Sequence, residues 1–129
     1  MRLASSVIME VITELDVAEF KELVGSLGER RLIVRFTAPW CRPCRRIEPQ
    51  CHEAFAKLPP QFLVAELDIE ETLDLYSAFT RHKMIKGVPA MMMFRGDVER
   101  DRWFIPDDSI SGDNVSEIAA FFARCREGI

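Results

Sequence analysis

Two cysteines stand two residues apart, Cys41 and Cys44, in the segment VRFTAPWCRPCRRIEPQC (residues 34–51). Such a pair can be half of a metal site, a structural staple or a working redox couple. A tetrahedral zinc site needs four nitrogen or sulfur ligands. The remaining candidates, Cys51, His52, His82 and Cys125, form no second pair at metal-ligand spacing. A staple belongs to oxidising compartments and to cysteine-dense chains, and this chain has four cysteines in 129 residues. A redox couple needs an end of a strand running into a helix, because the unpaired N–H groups of the helix start favour a thiolate. The segment has that form, with an exposed nucleophile expected at Cys41 and a more sheltered thiol one turn later at Cys44. Pro43 is compatible with a first helical turn, whose N–H groups lack helical partners, and Arg42, Arg45 and Arg46 add positive charge.

The elements that must position this pair follow from periodicity. Ser6 to Ile12 (SVIMEVI) reads as a strand. Leu15, Phe20, Leu23, Val24 and Leu27 share one face of a helix that Asp16 can cap. Arg31 to Phe36 (RLIVRF) is a near-continuous apolar strand, followed by a helix from Arg42 to Leu58 with a kink expected at Pro49. Gln61 to Ile69 reads as a strand, Glu71 to His82 as a helix, and GVPAMMMF (87–94) as a strand with a proline at its entrance. Gly96-Asp97 should turn into an antiparallel edge strand, VERDRWF (98–104), and a final helix over DNVSEIAAFFARCRE (113–127) should be capped by Asp113, with Glu117 close to the capping-box position. Alternating strands and helices require crossovers, so the first half should form a mainly parallel sheet covered on both faces. One domain spanning 1–129 is expected.

Composition narrows the function. Hydrophobic residues make up 48% and charged ones 29%, enough to bury a core, and the net charge is -4 with a pI near 5.2. An acidic chain is a poor generic binder of nucleic acid or anionic membrane. No stretch approaches the roughly 18 apolar residues of a membrane span. MRLASSVIMEVITELDV is broken by Glu10 and does not read as a secretory leader, so a cytoplasmic location is expected.

FTAPWCRPC, with Pro49 in the following helix and GVPAMMMF downstream, resembles the thioredoxin family, from about Val7 to Phe122 in element order as well as motif. The resemblance implies an α/β thioredoxin fold, a central mixed sheet flanked by helices on both faces. It also implies thiol-disulfide oxidoreductase activity: Cys41 as attacking nucleophile, Cys44 as resolving cysteine, and Trp40, Arg42 and Pro43 at the substrate-binding face. Pro89 would match the family's cis-proline, leaving the Val88 backbone to pair with an extended substrate peptide. The implied partners are proteins carrying disulfides, with a thioredoxin reductase or glutathione as electron donor. No cofactor or metal is expected, and a monomer or weak dimer is.

The sequence departs from the family at three places. Six residues before Cys41, where the family carries a buried Asp, stands Arg35; on the neighbouring strand, where a Lys is frequent, stands Glu66. Val34 and Phe36 point away from Arg35, so Arg35 and Glu66 are expected to form an ion pair beneath the dithiol, since an unpaired charge inside a sheet is costly. The glycine the family places after its edge strand is replaced by Ile105 or Pro106, and residues 106–114 form an acidic loop with Asp107, Asp108 and Asp113. Trp103, Cys51, Cys125 and Met91 to Met93 are expected in packing roles, and His52 and His82 on the surface. Two alternatives remain: a more oxidising disulfide oxidase or isomerase, and a binding module that keeps the fold without turnover.

Overall fold

A computed structural model describes the backbone of residues 2–5 and residues 10–129. Strands β1 (Arg2–Ser5), β2 (Glu10–Glu14), β3 (Arg31–Thr37), β4 (Phe62–Asp68), β5 (Ala90–Arg95) and β6 (Asp108–Ser111) form one sheet in the order β1-β2-β4-β3-β5-β6. β2, β4 and β3 are mutually parallel, whereas β5 and β6 are antiparallel additions at one edge and β1 at the other. Only the latter part of the expected first strand, from Glu10, falls on the described residues; Ser6 to Met9 lie outside them. β1 was not anticipated.

The parallel strands are joined through helices α1 (Val17–Gly25) and the pair α2 (Arg42–Arg46) and α3 (Glu48–Ala56); α4 (Leu73–Arg81) links β4 to β5, and α5 (Val115–Cys125) closes the chain. Asp16 caps α1 in a full capping box with Glu19, two N–H groups satisfied at once. The expected kink is a break. Pro49 has no N–H to offer the Arg45 carbonyl four residues back, so the helix ends at Ile47 and restarts.

Alternation along β3 feeds two cores. Leu32, Val34 and Phe36 pack with Phe20 of α1 and Leu75 and Phe79 of α4. Ile33 packs on the other face with Cys51 and Phe55 of α3 and Ile118, Phe121 and Phe122 of α5. Met91 and Met93 join the second core and Met92 the first, as packing residues.

Residues 98–104 do not form the expected edge strand; they run through turns and bends. Trp103 and Phe104 are adjacent, yet both pack against the same core, which a strand with its two-residue period forbids. Trp103 meets Phe20 and Phe79 at ring-centroid distances of 5.8 and 5.6 Å. The edge is supplied instead by Asp108–Ser111, inside what read as an acidic loop, with Met93 opposite Asp108 and Ala90 opposite Ser111. Its acids are engaged: Asp107 with Arg100 at 2.6 Å, Asp108 with Arg124 at 2.8 Å and Asp113 with Arg46 at 2.8 Å. The cap of α5 is Asn114, not Asp113. Its side chain accepts the N–H of Glu117 at 2.9 Å, three residues on.

Candidate active site

β3 ends at Thr37 and the chain turns through Ala38 to Trp40, delivering Cys41 to the N-cap of α2. The Cys41 Sγ accepts the Cys44 N–H at 3.2 Å, so the helix start does point a donor at this sulfur. Cys41 and Cys44 are joined as a disulfide with Cα atoms 5.2 Å apart. Cys44 is fully buried, while Cys41 keeps 4% of its surface. Cys41 is thus the outer sulfur of the pair, although far less exposed than a free nucleophile was expected to be.

Trp40 is 64% exposed, and its indole N–H donates to Glu70 at 2.8 Å. Arg42 and Arg45 are exposed and Pro43 is half-buried, while Arg46 is tied to Asp113. The Val88–Pro89 bond is cis. Because Ala90 pairs with Phe36, this bond lies at the same end of the sheet as the cysteine turn. The glycine of this end is Gly112, not a residue near Ile105: it follows β6 with φ +94° and donates its N–H to the Pro89 carbonyl at 3.0 Å. A positive φ is where glycine is favoured. The misplaced edge strand is what hid it.

Arg35 and Glu66 pair as expected. They are opposite one another in the parallel register of β3 and β4, and one guanidinium nitrogen lies 2.6 Å from the Glu66 carboxylate. The other donates to the Cys44 carbonyl at 2.6 Å. Arg35 is entirely buried, and its Nε has no partner among the described residues. The pair therefore braces the first turn of α2 from below. Sequence reasoning missed the third member. His52 reaches down from α3 with Nε2 at 2.8 and 3.0 Å from the two Glu66 oxygens, and Glu48 stands 3.9 Å from His52 and 3.8 Å from Arg35. Glu48 and His52 are four residues apart on one helix face, which was legible; that this face lies over Glu66 was not.

Glu48, His52 and Glu66 bring three possible ligand atoms within 4.8 Å of one another. The Arg35 guanidinium already supplies the positive charge there. Cys51 and Cys125 are buried free thiols, and burial pushes them up to about 11 and about 12; for Cys51 the nearby Arg35 works in the opposite direction. Both behave as small core residues.

No helix of the described residues is long and apolar enough to cross a membrane. Residues 11–120 match the thioredoxin family model. Thioredoxin domain-containing protein 8 of Rattus norvegicus is 38% identical over 80 residues, 60% of this chain and 57% of that protein. Protein disulfide-isomerase tigA of Aspergillus niger is 29% identical over 123 residues, 93% of this chain but 32% of its own length. The chain thus spans less than two thirds of either relative. Among solved structures, Fasciola hepatica thioredoxin superposes with a TM-score of 0.65 at 24% identity, covering 92% of this chain and all of the other. With the family model matched over most of its length and the same fold in these neighbours, the chain belongs to the thioredoxin family.

Proposed function

We propose that this protein reduces disulfides in other proteins, with the Cys41–Cys44 couple cycling between dithiol and disulfide. The observation that carries this is the outer sulfur of Cys41 held at a helix start beside an exposed Trp40, with Cys44 sheltered directly behind it. In the forward step the Cys41 thiolate attacks a substrate disulfide, and one substrate sulfur leaves as a thiolate that takes up a proton. Cys44 then loses its proton and attacks Cys41. The mixed disulfide breaks, the second substrate thiol departs, and the Cys41–Cys44 bond forms. In this reading Trp40, Arg42 and Pro43 meet the substrate, and the Val88 backbone beside cis-Pro89 pairs with an extended substrate segment. Arg35 holds Cys44 through its carbonyl, and Glu66 is the carboxylate that balances Arg35. A thioredoxin reductase or glutathione is the donor that restores the dithiol, and two unpaired cysteines elsewhere suit a reducing compartment such as the cytoplasm.

One observation favours a second reading, an oxidase or isomerase. A buried cation sits against Cys44, and cations stabilise thiolate and hence the reduced form. Equilibration with glutathione buffers decides between them: a potential near about −270 mV supports a general reductant, and one above roughly −200 mV the oxidising role. The Cys44→Ser variant should trap a mixed disulfide through Cys41. A purified couple that cannot be reduced and re-formed overturns both readings and leaves a binding module.

A further inference from the structure

His52 joins the buried ion pair to solvent. Its side chain is half exposed, yet Nε2 faces both oxygens of Glu66 at 2.8 and 3.0 Å. Two carboxylate oxygens there require Nε2 to carry a hydrogen, so the ring's charge is decided at Nδ1, and an imidazole changes charge near neutral pH. The charged groups facing it are Glu66 from β4, Glu48 from its own helix at 3.9 Å and, through Glu66, Arg35 from β3. On the apolar side lies the Phe55 ring, 6.1 Å away. The adjacent Cys51 is a thiol that burial keeps neutral through this range.

From the same ion pair, Arg35 reaches the Cys44 carbonyl at 2.6 Å. Dithiol, guanidinium, carboxylate and imidazole therefore form one contiguous series, most of it out of water and weakly screened. Reduction changes the charge at one end: the disulfide takes two electrons, and where Cys41 stays a thiolate only Cys44 takes a proton. That new negative charge favours a proton at the other end.

We propose that His52 is a positioning residue for the couple, binding its proton more tightly in the reduced protein than in the oxidised one. The second proton of the two-electron reduction then goes to His52 in place of Cys41. Coupling is reciprocal, so the couple accepts electrons more readily once His52 is protonated. This rests on the reading of Cys41–Cys44 as a reversible couple.

The test is an NMR titration of the full chain, oxidised and then reduced with dithiothreitol, which closes to its own cyclic disulfide as it gives up the electrons. The chain has two histidines, and His82, stacked on Phe104 at 3.7 Å beyond the far end of α4, is the internal control. The expected result is a roughly three- to tenfold rise in proton affinity at His52 on reduction, the order of effect one added charge has on a partly screened neighbour, with His82 unmoved. In glutathione buffers between pH 5.5 and 7.5 the wild-type couple should carry the same three- to tenfold excess pH dependence over His52→Gln, whose amide keeps a donor toward Glu66 without titrating. A reversible couple with identical His52 titrations in both states, or with the same pH dependence in His52→Gln, overturns this inference alone. A couple that cannot be cycled overturns the functional reading and this inference with it.

Discussion

Arg35 carries its charge to a position with no exposed surface, and that decides the ranking of substitutions around it. Glu66→Ala strands the cation beside Cys44, with Glu48 at 3.8 Å the remaining carboxylate among the described residues, and orphaning one member of a buried pair costs about 3–5 kcal/mol. Arg35→Met removes the costly charge itself, while Glu66, one-fifth exposed, keeps His52 and water. Urea denaturation should therefore find Glu66→Ala clearly less stable than Arg35→Met; the reverse order would show that the carboxylate, not the guanidinium, is the burdened partner. Cys51 supplies a second residue-scale prediction. With its thiol pushed up to about 11 from an ordinary 9, it holds roughly a hundredfold less thiolate in the folded protein at pH 8. Iodoacetamide at that pH should leave Cys51 and Cys125 unlabelled in the native protein and label both in urea. The sign for stability follows: the unfolded thiol ionises first, so the contribution is whole below pH 9 and lost as pH climbs toward 11. The Arg35–Glu66 pair was legible because strand neighbours follow from register. His52 was not, because which sheet residue lies under a helix depends on how that helix packs.

At the scale of elements, caps and edges are where the sequence misleads. Asp113 and Asn114 are adjacent and both good caps, and the three-residue spacing to Glu117 selects Asn114. Asn114→Ala should lower stability by about 1 kcal/mol. Asp113→Ala, which loses only an exposed pair with Arg46, should cost a few tenths to about 1 kcal/mol at most, with thermal unfolding as the measure. VERDRWF sets four charged residues in a row before two adjacent aromatics, a pattern with no two-residue period, and Trp103 and Phe104 pack together into one core. The short β6 has only Ile110 as an apolar residue, too little pattern to announce a strand, and with it went the position of Gly112. The long parallel strands, by contrast, were readable because each carries an apolar run, Leu32 to Val34 and Phe62 to Ala65, ahead of Arg35 and Glu66.

For the molecule as a whole, the sheet separates two apolar layers, and the end remote from the cysteines is closed by backbone against backbone. A Cβ at Gly96 would lie 2.3 Å from the Gly28 carbonyl oxygen and 2.5 Å from the Leu27 Cβ. Gly96→Ala must push the end of β5 away from the turn before β3, which overpacking costs put at about 1–3 kcal/mol; a melting temperature equal to wild type would show that this seam is loose. β3 is paired along its length on both sides, with Arg35 opposite Glu66 on one neighbour and Met91 on the other. A slip of one residue would turn every side chain of β3 to the other layer and thrust the guanidinium among Tyr76 and Phe79, where Phe36 now sits. The charge beneath the cysteines is thus also an error signal for folding: a one-residue slip of the central strand tears it from its counterion and drives it into an apolar layer.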